Sequence, residues 1–152
     1  YLIDNNIMEK GEYQLTNALE NMKQQGAKFI PGRISEWLDC GNKDSSVFTN
    51  QRYLEYIKNE NLTAASAKLI NSVVIQPCYI GENVELKNCV IGPHVSIGNN
   101  TVITNSVIKN SIVQTNAKIG HAIIENSMFG NFSVYSGKAV DLSVGDYTVI
   151  KG

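Results

Sequence analysis

The sequence predicts a mainly β protein whose second half is a parallel solenoid of triangular cross-section. From Leu69 to Phe129, a large apolar residue recurs every five or six residues. Every third one falls 16 or 17 residues after its predecessor, so that three short strands complete one coil and each coil stacks on the last. A small residue also recurs inside each segment, as a narrow prism with little room at its corners requires.

The repeating residues divide into three sets, and each set predicts one stacked column inside the prism. The first set is Leu69, Leu86, Ile103 and Ile119; the second is Val74, Ile91, Ile108 and Ile124; the third is Ile80, Ile97, Val113 and Phe129. The small residues that we expect to point inward beside them are Ser72, Cys78, Val84, Cys89, Val95, Thr101, Ser106, Ser111, Ala117, Ala122, Ser127 and Ser133. The asparagines that we expect to form ladders at the turns are Asn71, Asn88, Asn105, Asn110 and Asn126.

Residues 1–66 lack this period, and we expect them to form a different unit from residues 67–152. A helix is predicted over 16–25, because apolar residues recur there at helical spacing. Thr16 is its expected cap and Gly26 its expected end. The apolar residues on this helix are Ala18, Leu19 and Met22.

A strand and a second helix complete the predicted elements of the first unit. Residues 28–34 alternate as a strand does, with a turn or bulge at Pro31-Gly32. The second helix covers 43–58, begins at the cap residue Asn42, and leads into the solenoid through a link at 59–67. Its residues expected to face inward are Val47, Phe48, Leu54 and Ile57.

Composition and charge exclude several classes of protein. The 152 residues carry 13 basic and 14 acidic side chains, with no basic run that would bind nucleic acid or an anionic membrane. No apolar stretch approaches the ~20 residues of a membrane-spanning helix, and no signal peptide opens the chain. We therefore expect a cytoplasmic protein with no nucleic-acid or membrane partner. Cys78 and Cys89 occupy inward positions and are expected to be buried thiols.

The repeat resembles the hexapeptides of left-handed β-helix proteins, as in the segment Ile80-Gly81-Glu82-Asn83-Val84-Glu85. The left hand is implied by this resemblance, because crossovers between parallel strands are right-handed in general. The expected fold is therefore a left-handed parallel β-helix of hexapeptide repeats.

Two phrases stand before the solenoid, namely Gly11-Glu12-Tyr13-Gln14-Leu15-Thr16 and Trp37-Leu38-Asp39-Cys40-Gly41-Asn42-Lys43. They resemble the closing part of the catalytic domain in sugar-1-phosphate nucleotidyltransferases, the family of glucose-1-phosphate thymidylyltransferases and mannose-1-phosphate guanylyltransferases. In that family a Gly-Glu-Tyr phrase precedes a helix, a Trp-Leu-Asp-x-Gly phrase ends a strand, and a further helix leads into a hexapeptide β-helix. This chain has the three in the same order, so the resemblance covers nearly its whole length.

The resemblance implies transfer of a nucleoside monophosphate from a nucleoside triphosphate to a sugar 1-phosphate, with Mg²⁺ and with release of pyrophosphate. In thymidylyltransferase-like members the Asp of the Trp-Leu-Asp phrase is a metal ligand, and it corresponds to Asp39. A carboxylate oxygen is a ligand that Mg²⁺ favours. Taken without the family, Asp39 is a turn or capping carboxylate.

The resemblance also implies that much of the active site lies elsewhere. The family's glycine-rich nucleotide loop, its first metal carboxylate and its sugar-contacting segment all precede the point that corresponds to Tyr1. Because the chain also opens without an initiator methionine, we expect a fragment that is inactive by itself. Residues 1–66 would end an α/β catalytic domain, and the β-helix at 67–152 would serve assembly or regulation in a homo-oligomer.

Two other functions stay open. Many left-handed β-helix proteins are acyltransferases that use a histidine as general base, and His94 and His121 lie in the repeat. We expect both histidines to be exposed at corners on different faces. The third function is a non-catalytic oligomerisation module. Trp37 is expected to be a buried packing residue, and the irregular stretch beyond Phe129 is expected to cap the solenoid or contact a second subunit.

Overall fold

The structure is a computed structural model that describes residues 1–138 together with Val144 and Val149. The chain forms two compact units, Tyr1–Trp37 and Leu38–Gly152. The second unit therefore begins well before the solenoid and includes the helix predicted over 43–58. The assignment of 1–66 and 67–152 to two functional domains remains a prediction. The cap expected beyond Phe129 falls largely on residues outside the described range.

The first unit contains one helix, α1 (Leu15–Gln24), within its 37 described residues. The helix begins one residue earlier than predicted, and the residue before it, Gln14, makes no side-chain capping bond, so Thr16 is not the cap. Gly26 ends the helix as predicted: its φ is +92°, a left-handed conformation that glycine adopts without strain. The amide of Ala27 then donates to the Met22 carbonyl at 3.0 Å and closes the last turn.

The strand predicted at 28–34 is absent from the described chain, and this prediction is wrong. A strand is stable only where a neighbouring strand binds its backbone amides and carbonyls. The 37 described residues of the first unit contain no strand with which this segment could pair. Its apolar side chains are instead exposed: Phe29, Ile30 and Ile34 are 51%, 88% and 70% accessible.

The second helix, α2 (Lys43–Tyr56), begins where the sequence predicts. The Asn42 Oδ1 accepts a hydrogen bond from the Ser45 amide at 2.9 Å, which confirms Asn42 as the cap. Val47 and Leu54 are buried, and Ile57 is half-buried just beyond the helix. Phe48 is exposed, so its predicted inward position is wrong. It directly follows Val47, and one residue turns the side chain about 100° away from the packed face of the helix.

The rest of the second unit is a solenoid of very short strands. In its described part the strands are β1 (Lys68–Ile70), β2 (Val73–Val74), β3 (Cys78–Ile80), β4 (Glu85–Lys87), β5 (Val90–Ile91), β6 (Val95–Ile97), β7 (Val102–Thr104), β8 (Val107–Lys109), β9 (Ser111–Val113), β10 (Lys118–Gly120), β11 (Ile123–Glu125), β12 (Met128–Phe129) and β13 (Val134–Ser136). They form three parallel sheets, ordered β1-β4-β7-β10-β13, β2-β5-β8-β11 and β3-β6-β9-β12. This is the predicted mainly β fold, a left-handed parallel β-helix.

The register of the sheets confirms the three predicted columns. In the first sheet Leu69 pairs with Leu86, Leu86 with Ile103, and Ile103 with Ile119. The other two sheets stack the second and third sets in the same way. The buried residues of these columns are Ile80, Leu86, Ile91, Ile97, Ile103, Ile108, Val113, Ile119 and Ile124. Leu69 remains 42% exposed because it belongs to the first coil, which has no coil beneath it.

Small inward residues are also buried in the stack, among them Cys78, Thr101, Ser106 and Ser111. The three hydroxyls donate to main-chain carbonyls: Thr101 to Gln114 at 2.9 Å, and Ser106 and Ser111 to the residue two before each, at 2.7 Å. These three buried hydroxyls therefore have partners, and their burial is not penalised by an unmade hydrogen bond.

The predicted asparagine ladders are present at the corners. Asn71 donates through Nδ2 to Asn88, and Asn88 donates to Asn105, both at 2.9 Å. These corner residues have positive φ, which asparagine tolerates better than most residues do. His94 and His121 occupy corners of the same kind, with φ of 63° and 53°.

The three faces of the prism differ in chemistry. The first sheet exposes charges, such as the Lys68–Glu85 ion pair at 2.7 Å. The third sheet packs against α2 through β6 and β9. The second sheet exposes an apolar column whose members pair in register and are Val73, Val90, Val107 and Ile123.

The three cysteines should differ sharply in reactivity. Cys78 and Cys89 are buried as predicted, and burial raises the pKa of the Cys78 thiol, so it stays protonated and unreactive. Cys40 is exposed. A thiol reagent at neutral pH should therefore modify Cys40 quickly and the other two only after denaturation. Peptide mapping of the labelled protein checks this, and rapid labelling of Cys78 in the native state would contradict the buried core.

Candidate functional site

Asp39 lies in an exposed segment directly before α2, here called the Asp39 loop and defined as residues 38–42. Two side chains of α2 bind the backbone of this loop. The Thr49 hydroxyl donates to the Asp39 carbonyl at 2.6 Å, and the Ser46 hydroxyl donates to the Cys40 carbonyl at 3.2 Å. Together with the Asn42 cap, these bonds hold the loop against the first turns of the helix.

The Asp39 carboxylate turns back over Gly41. A methyl group at position 41 would lie 3.0 Å from the Asp39 Oδ2, closer than side-chain carbons normally approach an oxygen. Glycine at this position therefore leaves the space that the carboxylate occupies. A larger residue there would displace the carboxylate by a few tenths of an ångström, because that side chain is flexible.

The donor chemistry of Asp39 fits Mg²⁺, but Asp39 provides only one ligand. Its exposed carboxylate carries no ion pair within the described part of the chain, so its oxygens are available to a cation. Among the described residues, no three His, Cys, Asp or Glu side chains group as a metal site. Mg²⁺ sites commonly use one or two carboxylates and complete their coordination with phosphates and water. Asp39 as a metal ligand therefore stays a prediction.

Two buried side chains hold α2 to the prism, an arrangement here called the helix–prism contact. Val47 and Leu54 are 4% and 2% exposed, and burial of each contributes about 1.5–3 kcal/mol. Asn50 lies on the same face of the helix and binds strand β6 and its preceding corner. Its Oδ1 accepts from the Ser96 hydroxyl at 2.5 Å, and its Nδ2 donates to the His94 carbonyl at 3.3 Å.

His94 completes this contact. Its Nε2 lies 2.7 Å from the Glu55 Oε1, and its side chain is only 16% exposed. The prediction of an exposed corner histidine is therefore wrong for His94, because α2 covers that corner. Because α2 covers the ring of His94, a bound substrate would have little access to it.

The Glu55 carboxylate carries the clearest electrostatic shift at this contact. Its hydrogen bond with His94, and then the one with Lys58, hold the pKa of Glu55 below its usual value of 4.5. The Lys58 Nζ lies 3.2 Å from the Glu55 Oε2. Both partners stabilise the charged form of Glu55.

Acid should weaken the helix–prism contact. Because the pKa of Glu55 is lower in the folded than in the unfolded protein, its stabilising contribution is complete above about pH 4.5 and is lost as the pH falls through the folded pKa. The difference in unfolding midpoint between the native protein and Glu55→Gln should therefore shrink as the pH falls below about 4.5. Urea titrations across this range measure it, with Glu60→Gln as the matched exposed carboxylate. A difference that grows in acid would contradict the assignment.

His121 lies on another face, as predicted, and is exposed at its corner. It stands at the end of an open groove of about 620 Å³, here called the His121 groove. One wall is the Asn71–Asn88–Asn105 ladder, and the other is the apolar column of the second sheet. The residues lining the groove include no carboxylate, so His121 has no acidic partner there to orient its ring.

One expectation about this region is wrong, and two contact residues were not predicted. Trp37 is 78% exposed, so the prediction of a buried tryptophan is wrong for the described chain. It ends the same irregular segment that exposes Phe29, Ile30 and Ile34. Thr49 and Asn50 were not predicted as contact residues. Asn50 had a detectable signal, since it stands three residues after Val47 and four before Leu54, and so it is a polar residue on the buried face of α2.

Comparison with known proteins supports the repeat, but the match does not include the Asp39 loop. Residues 56–129 match the family described as GlmU-like, C-terminal hexapeptide. The match confirms that the solenoid is built from hexapeptide repeats. A search of curated proteins gave no match. The two phrases that resemble nucleotidyltransferases lie outside the matched residues.

Proposed function

We propose that the chain is part of a sugar-1-phosphate nucleotidyltransferase, in which Asp39 binds Mg²⁺ and the β-helix serves assembly or regulation. The observation that carries the proposal is the exposed carboxylate of Asp39. It lies in a loop that α2 connects directly to a hexapeptide solenoid. The order of the helices supports it, because α1 follows the first phrase and α2 follows the second, as in the family that the phrases resemble. The strand that the second phrase ends in that family is absent from the described chain.

The exposed apolar segment of the first unit also supports the proposal. Phe29, Ile30, Ile34 and Trp37 are each more than half exposed. Exposed apolar side chains clustered in one segment are typical of a surface that packs against another part of a protein. A catalytic domain that the first unit helps to complete would cover them.

In the proposed reaction an oxygen of the sugar phosphate attacks the α-phosphorus of the nucleoside triphosphate in line with the leaving group. The bond between the α-phosphorus and the oxygen bridging to the β-phosphate breaks, and its electron pair leaves with pyrophosphate. Mg²⁺, when bound, neutralises charge on the phosphate oxygens. Asp39 would hold that cation, and the hydroxyls of Thr49 and Ser46 keep the backbone of the Asp39 loop in place.

The test is a pyrophosphate-release assay on the full-length protein with several nucleoside triphosphates and sugar 1-phosphates. We expect release that requires one member of each class and Mg²⁺. A parallel assay measures thiol release from acetyl-CoA. Thiol release without pyrophosphate release would replace the proposal with acyl transfer, and inactivity in both assays from a stable oligomer would favour an oligomerisation module.

Acyl transfer is a second candidate because of the His121 groove. A corner histidine beside an open, partly apolar groove is a feature of the described solenoid that could receive an acyl donor. Under this alternative His121 would be the general base. His121→Asn should then abolish acetyl-CoA-dependent thiol release, whereas the nucleotidyltransferase proposal predicts no loss of pyrophosphate release.

A homo-oligomer and a cytoplasmic location remain predictions. The exposed apolar column of the second sheet supports a subunit contact. The described part of the chain contains no helix of the length and apolarity needed to cross a bilayer.

A further inference from the structure

Two sets of contacts converge on consecutive residues of α2. Thr49 binds the Asp39 loop, and Asn50 binds the prism. We propose that the solenoid positions Asp39 through this pair, so that Thr49 is a positioning residue for the metal carboxylate and Ser96 acts on Asp39 through Asn50. The expected effect on Mg²⁺ binding rests on the proposed function. The link from Ser96 through α2 to the Asp39 loop, here called the mechanical connection, does not rest on it.

The first step is the bond between Thr49 and Asp39. At 2.6 Å it is short for a hydroxyl–carbonyl hydrogen bond. It joins residues ten apart, so it fixes the path of the loop and not only the end of the helix. The bond from Ser46 to the Cys40 carbonyl holds the next residue of the loop in the same way.

The second step is the bond pair of Asn50. Successive residues of an α-helix point about 100° apart, so Asn50 faces the prism while Thr49 faces the loop. Asn50 uses both ends of its amide, accepting from the Ser96 hydroxyl and donating to the His94 carbonyl. A rotation or a shift of α2 along its axis would break at least one of these bonds.

The third step is what keeps the helix from rotating as a whole. Val47 and Leu54 are the buried residues of α2, but apolar contacts are not directional. The Glu55–His94 bond lies beyond Asn50 along the helix and provides a second directional contact with the same corner. With two directional contacts on the prism, the helix presents Thr49 at a fixed place.

The connection makes a prediction that a purely local role of Thr49 does not. Ser96 and Asn50 form no hydrogen bond with any residue of the Asp39 loop within the described chain. If the solenoid positions the loop, removal of the Ser96 hydroxyl must loosen the loop at a distance. If α2 and the loop are held independently of the prism, Ser96 will have no such effect.

Cys40 provides a probe inside the loop, because it is exposed and next to Asp39. The experiment attaches a nitroxide to Cys40 in the full-length protein and records its electron paramagnetic resonance spectrum. Cys40→Ser, labelled in parallel, identifies the signal that comes from this site. Thr49→Val, Thr49→Ser, Ser96→Ala and Asn50→Ala are compared with Thr104→Val, a matched threonine on the solenoid face away from α2. Circular dichroism establishes that each variant is folded.

We expect narrower lines, from faster label motion, in Thr49→Val, Ser96→Ala and Asn50→Ala. The Thr49→Ser and Thr104→Val spectra should match the native one. A native spectrum in Ser96→Ala and Asn50→Ala would overturn the proposal, whatever happens to activity.

The same variants test the link to the metal. In Thr49→Val and Ser96→Ala the Mg²⁺ concentration for half-maximal pyrophosphate release should rise several-fold, with a smaller change at saturating Mg²⁺. An unchanged Mg²⁺ requirement in an active enzyme would overturn the positioning of Asp39. If the spectra change as expected but no substrate pair releases pyrophosphate, the proposed function is wrong and the mechanical connection stands.

Discussion

Asp39→Ala in the full-length protein should lower Mg²⁺-dependent pyrophosphate release by orders of magnitude. The expected reason is loss of a carboxylate that holds the cation against the phosphates, since catalysis of phosphoryl transfer depends almost entirely on positioning and charge neutralisation. The backbone carbonyl that binds Thr49 is retained in this variant, so the loop should keep its place. Initial rates measured against Mg²⁺ concentration give the effect.

Two variants make this test specific. Asp39→Asn keeps the shape of the side chain and removes its charge, so it should lose nearly as much activity as Asp39→Ala. Asp44→Ala removes a neighbouring, highly exposed carboxylate in the first turn of α2 and should leave turnover near the native value. Native turnover in Asp39→Ala would contradict the metal role, and equal losses in Asp39→Ala and Asp44→Ala would indicate a general effect of charge.

Gly92→Ala should lower the stability of the protein strongly. Gly92 has a φ of +108°, which side chains rarely adopt, and an added methyl group would overlap the Ile75 carbonyl and lie 2.7 Å from the Cys78 sulfur. Both neighbours belong to the prism wall and cannot move without breaking the stack. We expect the free energy of unfolding to fall by more than about 4 kcal/mol, a loss that single substitutions reach through a few mechanisms, among them overpacking and backbone strain.

Gly130→Ala is the matched control. Both glycines directly follow an inward residue of the prism, Ile91 of the second column and Phe129 of the third. An added methyl group at Gly130 would meet no atom within 4 Å. Its effect should stay within about 0.5 kcal/mol. Urea unfolding followed by circular dichroism measures both variants. A native midpoint in Gly92→Ala would mean that the corner at Gly92 is not built as described.

The solenoid was predictable because its determinants are local and repeated. The pairing of Leu69, Leu86 and Ile103 follows from a spacing of 17, and each coil repeats the same constraint. The asparagine ladders follow for the same reason, since one corner residue per coil meets its equivalent in the next coil.

Two of the failures share a physical cause, which is dependence on contacts far away in the sequence. The burial of His94 could not be predicted, because Glu55, the residue that binds its ring, lies 39 positions earlier. The strand at 28–34 failed because alternation gives a segment only the potential to pair, and pairing needs a neighbour.

The candidate site was predictable only in part, for a related reason. The phrase around Asp39 predicts a metal carboxylate by resemblance, and that role stays a prediction. The Thr49 bond that holds its backbone spans ten residues and has no local pattern. Asn50 stood out only as a polar residue on the apolar face of α2, a position where a buried hydrogen bond is expected.

The most direct test of the proposed function is to identify the product. The full-length protein is incubated with Mg²⁺, a nucleoside triphosphate and a sugar 1-phosphate, and the mixture is followed by ³¹P nuclear magnetic resonance. The proposal predicts a pair of coupled signals from a new diphosphate that joins nucleoside and sugar, formed in step with pyrophosphate. Loss of the sugar-phosphate signal without that pair, or an unchanged spectrum across all substrate combinations, would contradict it.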